Sequence, residues 1–293
     1  MLKGSLVALV TPFLADGKVN YSELKKLLEY HIKNQTDGIV ILGTTAEATT
    51  LSLEEQLEII KFTISIVNKR IPIIVGAGSN DTSKAIEKAK LFSTLGVDYL
   101  LVITPYYNKT NEKGLIHHFE SIAEISSVPI ILYNVPSRTG MSISLSAVEI
   151  LSKHKNICGI KEASGNMSYA VGVSKFLNQD FVMLSGNDDI IVPMMSIGAT
   201  GVISVLANIC PKQTHSLCEL CLEERYKEAK ELQGKLLPIA NSLFFETNPI
   251  PVKAAMNYLG FSVGNYRMPL YPMDDELYKR MIHILDENKE LLN

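Results

Sequence analysis

Eight short runs of aliphatic and β-branched residues recur along the first two-thirds of the 293-residue chain, and they constrain the fold more than any other feature. They read "SLVALVTP" (5–12), "GIVILGTT" (38–45), "IPIIVGAGS" (71–79), "YLLVITPYY" (99–107), "VPIILYNVP" (128–136), "ICGIKEAS" (157–164), "FVMLSGND" (181–188) and "GVISVLAN" (201–208). Apolar residues fill these runs continuously instead of alternating, the pattern of parallel strands buried on both faces. Helix-patterned segments lie between them. Two open with capping-box spacing, Asn20 with Glu23 and Ser52 with Glu55. A third, "TSKAIEKAKLFSTLG", closes on Gly96, a residue suited to follow a helix C-terminus. Eight β-then-α units at intervals of roughly 20–33 residues predict an α/β fold, a (β/α)8 barrel, in a chain near the usual ~250 residues. An open doubly wound sheet is the rival. Its support is "GAGSND" after the third run, which lacks the third glycine of a dinucleotide motif and reads as a tight turn.

From about Arg225 the pattern changes to three helical stretches with no strand between them. The expected organisation is a barrel over 1–224 and a helical region over 225–293 that braces the barrel or supports an oligomer. A net charge of −3 without any lysine- or arginine-rich run argues against nucleic acid or a membrane surface as partner. No apolar stretch approaches the ~18 residues of a membrane-spanning helix. The opening "MLKGSLVALVTPF" reads as a first strand, not a signal peptide. Four cysteines, Cys158, Cys210, Cys218 and Cys221, are sparse, which suits a reducing cytoplasm. Cys218 and Cys221 form a C-x-x-C pair inside a helical pattern, where helix packing is the expectation and no metal is called for.

In a barrel of this kind, chemistry sits at the C-terminal strand ends. Those ends carry Gly43-Thr44-Thr45, Tyr106-Tyr107, Tyr133-Asn134 and Lys161-Glu162, with Arg138 soon after the fifth run. Lys161 has two readings: a stem packed on apolar surface with its amine on water or Glu162, or a Schiff-base nucleophile. A lysine amine attacks a carbonyl only when neutral, and burial disfavours the charged form. Tyr133, on the neighbouring strand, suits proton transfer to and from such an intermediate, and Thr44 and Tyr107 offer hydroxyls for a relay. Tyr107 equally reads as an interface anchor. Thr44 and Thr45 form either a plain turn or donors to a small carboxylate. Arg138 is a surface ion pair or a bidentate carboxylate clamp, and its neighbours favour the clamp. The six histidines lack metal spacing and read as solvated helix residues. Asp188-Asp189 reads as a helix N-cap. The absence of Lys or Arg between the seventh run and Lys212 argues against a phosphorylated substrate.

Taken in order, "GTTAEATTL", "VTPYYNK", "YNVPSRTG", "GIKEASGN", "LSGND" and "NPIPVK" resemble the 4-hydroxy-tetrahydrodipicolinate synthase (dihydrodipicolinate synthase) family, over nearly the whole chain. The resemblance implies a lysine-dependent, class I aldolase-type lyase that condenses pyruvate with L-aspartate 4-semialdehyde on the route to diaminopimelate and lysine. No cofactor is implied beyond the covalent Schiff base. It assigns the Schiff base to Lys161 and the proton relay to Tyr133, Thr44 and Tyr107, the last reaching across a tight-dimer interface. Thr45 would hold the pyruvate carboxylate, Arg138 that of the semialdehyde, and the Gly186 and Ile203 backbones would line the pocket. A homotetramer, a dimer of tight dimers, is the implied assembly. Two departures stand out. "GTTAEA" carries Ala46 and Ala48 where the family has glycine and serine. In the lysine-effector cleft of inhibited members, Leu53, Gln56 and Lys84 replace two histidines and a glutamate, while Asn80 and Tyr106 are retained. The expectation is weak or absent inhibition by lysine, since Lys84 repels the ligand and Leu53 offers no hydrogen bond.

Overall fold

A computed structural model describes residues 2–292. All eight runs form strands: β1 (Gly4–Ala8), β2 (Gly38–Ile41), β3 (Ile73–Gly76), β4 (Tyr99–Ile103), β5 (Ile130–Asn134), β6 (Ile157–Glu162), β7 (Val182–Ser185) and β8 (Gly201–Ser204). They pair in parallel, in chain order, and β1 closes on β8. The open doubly wound alternative is thereby excluded.

Closure divides the apolar residues into two layers. Leu6, Val40, Ile74, Leu101, Ile131 and Leu184 fill the barrel interior. The alternate residues, such as Ile39, Val75, Leu132 and Ile160, face a shell packed against the surrounding helices. Side chains alternate along a strand, so this partition follows from the continuous apolar runs. A register shift between Ile130 and Ile131 lets Ile130 pair with Ile157 and Ile131 with Gly159, leaving Cys158 as the extra residue of a bulge.

The glycines of "GAGSND" serve close packing at the rim. A Cβ on Gly76 would lie 2.0 Å from the Leu42 carbonyl oxygen, and one on Gly78 would lie 2.7 Å from the Ile103 nitrogen. Ser52 and Glu55 form the full capping box on helix Leu53–Val67. Asn20 caps its helix, but Glu23 turns away to Lys26 and the Ser262 amide, so that box is half-built. Helix Thr82–Phe92 stops short of Gly96, which instead takes the positive φ of the turn into β4.

Beyond residue 225 the helices Tyr226–Ser242, Ile250–Tyr258 and Asp275–Glu287 follow, with no strand among the described residues. Leu236, Val252 and Met281 join the same apolar shell as the barrel helices. The segment between the first two of these helices passes over the C-terminal rim of the barrel, where it meets the site.

Candidate active site

Tyr133 on β5 and Lys161 on β6 are register partners, so both side chains point into the barrel near its C-terminal end. Lys161 is 6 % and Tyr133 8 % exposed, and the Lys161 Nζ lies 4.4 Å from the Tyr133 ring centroid. Lysine ion pairs among the described residues involve Lys18, Lys26, Lys153, Lys253, Lys279 and Lys289, not Lys161. Glu162 faces the other way, as strand alternation requires. Its carboxylate accepts from Asn134 Nδ2 at 2.7 Å and the Ser164 amide at 2.7 Å, as well as from the Ser164 hydroxyl. Burial pushes the Glu162 carboxyl up, against the opposing pull of those donors. The Glu162 reading of Lys161 is therefore closed, and the amine sits near a phenol ring with no counter-charge in contact.

Thr44 follows β2 and lines a cavity of about 580 Å³ together with Tyr133, Arg138, Asn248, Tyr106 and Gln56. Thr45 is buried beside it, and its Oγ1 accepts from Asn248 Nδ2 at 2.9 Å. Arg138 sits in the one-turn helix Pro136–Thr139 after β5 and donates through Nη2 to the Asn248 carbonyl oxygen at 2.7 Å. Ile203 packs inside the barrel, while the Gly186 amide donates to the Glu162 carbonyl at 2.7 Å. A Cβ on Gly186 would lie 2.4 Å from that of Ala163, so this strand end tolerates no side chain. Tyr107 stands apart. It is 93 % exposed and held at a φ of +71°, a conformation unfavourable to a side-chain-bearing residue, and it does not line the cavity of its own chain.

Leu53, Gln56 and Tyr106 also line the cavity. Gln56 is buried, and its amide donates to the Ala48 and Leu51 carbonyls, so it is committed to the loop it supports. Lys84 is exposed in the first turn of its helix, its backbone amide capped by Asp81, and the Asn80 carbonyl accepts from Asn108.

Three residues of the site escaped the sequence reading. Asn248 ties Thr45 to Arg138. Lys253, fully buried, pairs with Glu47 at 2.8 Å and also donates to the Thr11 and Asn265 carbonyls. Glu47 itself has a φ of +55° two residues after Thr45, and its second oxygen accepts from the Arg267 amide. Asn248 holds Thr45 directly, and the Lys253–Glu47 pair fixes the loop that follows it. Asn248 and Lys253 belong to "NPIPVK", a stretch with a helical signature and nothing of a strand end about it.

Two other expectations need correcting. His31 and His118 are buried, not solvated. Their Nδ1 atoms pair with the Thr36 and Thr82 hydroxyls, and burial pushes their imidazoles down to about 3 and about 4. Asp188 caps no helix of its own. Its carboxylate accepts from the Ser204 hydroxyl and from the amides of Val205 and Leu206, joining the loops after β7 and β8. Cys218 and Cys221 lie on the buried face of helix Pro211–Leu222, in keeping with helix packing. No helix among the described residues is long and apolar enough to cross a membrane.

A sequence profile of the dihydrodipicolinate synthetase family matches residues 1–288. The chain is 51 % identical over 288 residues to the 4-hydroxy-tetrahydrodipicolinate synthase of Clostridium perfringens, covering 98 % of this chain and 97 % of that one. Among solved structures, it superposes on the 4-hydroxy-tetrahydrodipicolinate synthase of Methylacidiphilum fumariolicum SolV with a TM-score of 0.97 at 41 % identity, covering 100 % and 97 % of the two chains. The chloride-inhibited dihydrodipicolinate synthase of Acinetobacter baumannii, solved with pyruvate, gives 0.96 at 42 % identity, with 99 % of each chain covered.

Proposed function

The chain belongs to the dihydrodipicolinate synthetase family, and from that premise we propose that it condenses pyruvate with L-aspartate 4-semialdehyde through an imine on Lys161, giving 4-hydroxy-tetrahydrodipicolinate. The observation that carries this reading is the Lys161 amine, on a side chain only 6 % exposed and without an ion-pair partner, 4.4 Å from the ring of Tyr133, which lines a cavity together with Thr44 and Arg138.

The neutral amine adds to the pyruvate ketone. Tyr133 protonates the resulting carbinolamine hydroxyl, which leaves as water, and then accepts a proton as the enamine forms. Thr44 and the Tyr107 of a neighbouring copy pass protons between this phenol and solvent. Thr45 donates to the pyruvate carboxylate, Arg138 holds the semialdehyde carboxylate, and the Gly186 and Ile203 backbones bound the pocket. The enamine carbon attacks the aldehyde, forming the new C–C bond. Attack of the semialdehyde's amino group on the imine carbon then closes the ring and releases Lys161. Every proton has a side chain or water to carry it, so the covalent imine serves in place of a cofactor. The nearly complete exposure of Tyr107 supports an assembly of tight dimers, and a homotetramer is the form we assign. The barrel over 1–224 carries the reaction, the helical region over 225–293 supports its rim, and the enzyme works in the cytoplasm on the diaminopimelate and lysine route.

Reduction with borohydride in the presence of pyruvate, followed by peptide mapping, tests the central step. An adduct at Lys161 is expected, and its absence sinks the reading. Turnover of aspartate semialdehyde but not of sialic acid then separates this reaction from that of an N-acetylneuraminate lyase, which also works through a Schiff-base lysine. Lysine is a weak effector or none at all, because the apolar Leu53 offers no hydrogen bond and the cationic Lys84 repels its ammonium. Initial rates in millimolar L-lysine check this, and strong inhibition would refute it.

A further inference from the structure

We propose that Asn248 is a positioning residue that fixes the direction of the Thr45 hydroxyl, an inference that rests on the pyruvate-binding role given to Thr45 above. A threonine hydroxyl has one proton to donate and can accept as well. Asn248 Nδ2 donates to Thr45 Oγ1 at 2.9 Å, which occupies an acceptor position and leaves the hydroxyl proton for another partner. Both side chains are nearly buried, so few other partners compete for that proton. Asn248 also lines the cavity, and its Oδ1 is buried with no hydrogen-bond partner among the described residues. A buried amide with one end committed and one end open, on the wall of a substrate cavity, is costly unless the site uses its orientation. The Asn248 main-chain oxygen meanwhile accepts from Arg138 Nη2. One residue thus sets the groups for both substrate carboxylates, Thr45 through its side chain and Arg138 through its backbone.

That division makes the inference separable. Asn248→Ala removes the donor to Thr45 but keeps the carbonyl that holds Arg138. The expected result is a rise of about fivefold in the KM for pyruvate, the scale of one lost hydrogen bond, with the KM for aspartate semialdehyde within about twofold of the parent. In a Thr45→Val background the same substitution adds nothing, because the hydroxyl it orients is gone. Asn248→Asp offers only acceptors and draws the Thr45 proton to itself, so it raises the pyruvate KM more than the alanine variant does. The inference is overturned by an unchanged pyruvate KM in Asn248→Ala, by equal rises for both substrates, by additive effects in the Thr45→Val background, or by an Asp variant milder than the alanine. Should the Asp variant fail to fold, the alanine and valine pair still decides. Borohydride trapping at saturating pyruvate runs alongside. A Lys161 adduct in the parent enzyme without any KM shift in Asn248→Ala sinks this inference alone. No adduct in the parent sinks the underlying function.

Discussion

Two lysines lie buried at the same end of the barrel, and they are held in opposite ways. Lys253 is completely enclosed, paired with Glu47 at 2.8 Å, bonded to two carbonyl oxygens, and 4.4 Å from the Phe13 ring centroid. Every proton of its ammonium has an acceptor. Lys161 has an aromatic ring at the same 4.4 Å but neither a carboxylate nor a carbonyl bonded to its amine. Burial pushes the Lys253 ammonium down, and the Glu47 carboxylate works against that effect. The contrast separates two uses of one residue type. A lysine supplied with a full set of acceptors is a structural cation, and one left without them is available as a nucleophile.

Removing the proposed nucleophile is the largest perturbation. Lys161→Ala should lower kcat by on the order of 10³-fold or more, since no other amine replaces the covalent step. Borohydride trapping should vanish in parallel. Activity within tenfold of the parent would break the comparison at once. Lys253→Met acts on stability instead. It leaves the Glu47 charge buried and unpaired, at a cost of about 3–5 kcal/mol. Urea unfolding should show that loss, and adding Glu47→Gln should recover part of it because the orphaned charge is gone. If the single variant is no less stable than the parent, Lys253 is not the structural cation described here.

How much of this was legible in the sequence differs between the two lysines for a physical reason. Lys161 ends an apolar run, and strand alternation places Lys161 and Glu162 on opposite sides before any coordinates are known. Tyr133, on the preceding strand, is read in the same way. Lys253 sits in "PIPVKAAM", where a lysine on a helix ordinarily reaches solvent, and its partner Glu47 is more than 200 residues earlier. Only the closing of the C-terminal segment over the rim brings the pair together. Asn248 was hidden in the same way. The Cys158 bulge left no sign either, since an apolar strand reads the same with or without one extra residue. The buried histidines were misjudged because a helix pattern gives the period of the buried face, while the depth of burial depends on what packs against it.

His31 and His118 extend the comparison to bases that fold neutral. Burial holds their imidazoles down at about 3 and about 4, while the unfolded chain titrates near 6.5. Their contribution to stability is therefore complete above about pH 6.5 and is lost as pH falls toward the folded values. At pH 5 each should contribute about 2 kcal/mol less than at pH 7. Glu162 and Asp188, whose carboxyls burial pushes up, bend the overall curve the other way at low pH. The comparison to make is thus between variants. Denaturant unfolding of His31→Gln and His118→Gln should each give a flatter slope between pH 7 and pH 5 than the parent. Parallel slopes would mean that these rings take up protons without unfolding.

The smallest expected effect is the sharpest on the two lysines. Lys161→Met keeps most of the apolar stem and deletes an amine that has no bonded acceptor. With no bonded partner to lose, the replacement should leave the unfolding free energy within about 1 kcal/mol of the parent. The same change of side chain at Lys253 is expected to cost several times as much. Measuring both variants by urea unfolding at neutral pH, under one buffer condition, isolates the effect of the partners from that of the substitution. A loss above about 2 kcal/mol at Lys161 would mean that its amine is held by a stabilising partner. The distinction between structural cation and free nucleophile would then fail, even if the imine still formed.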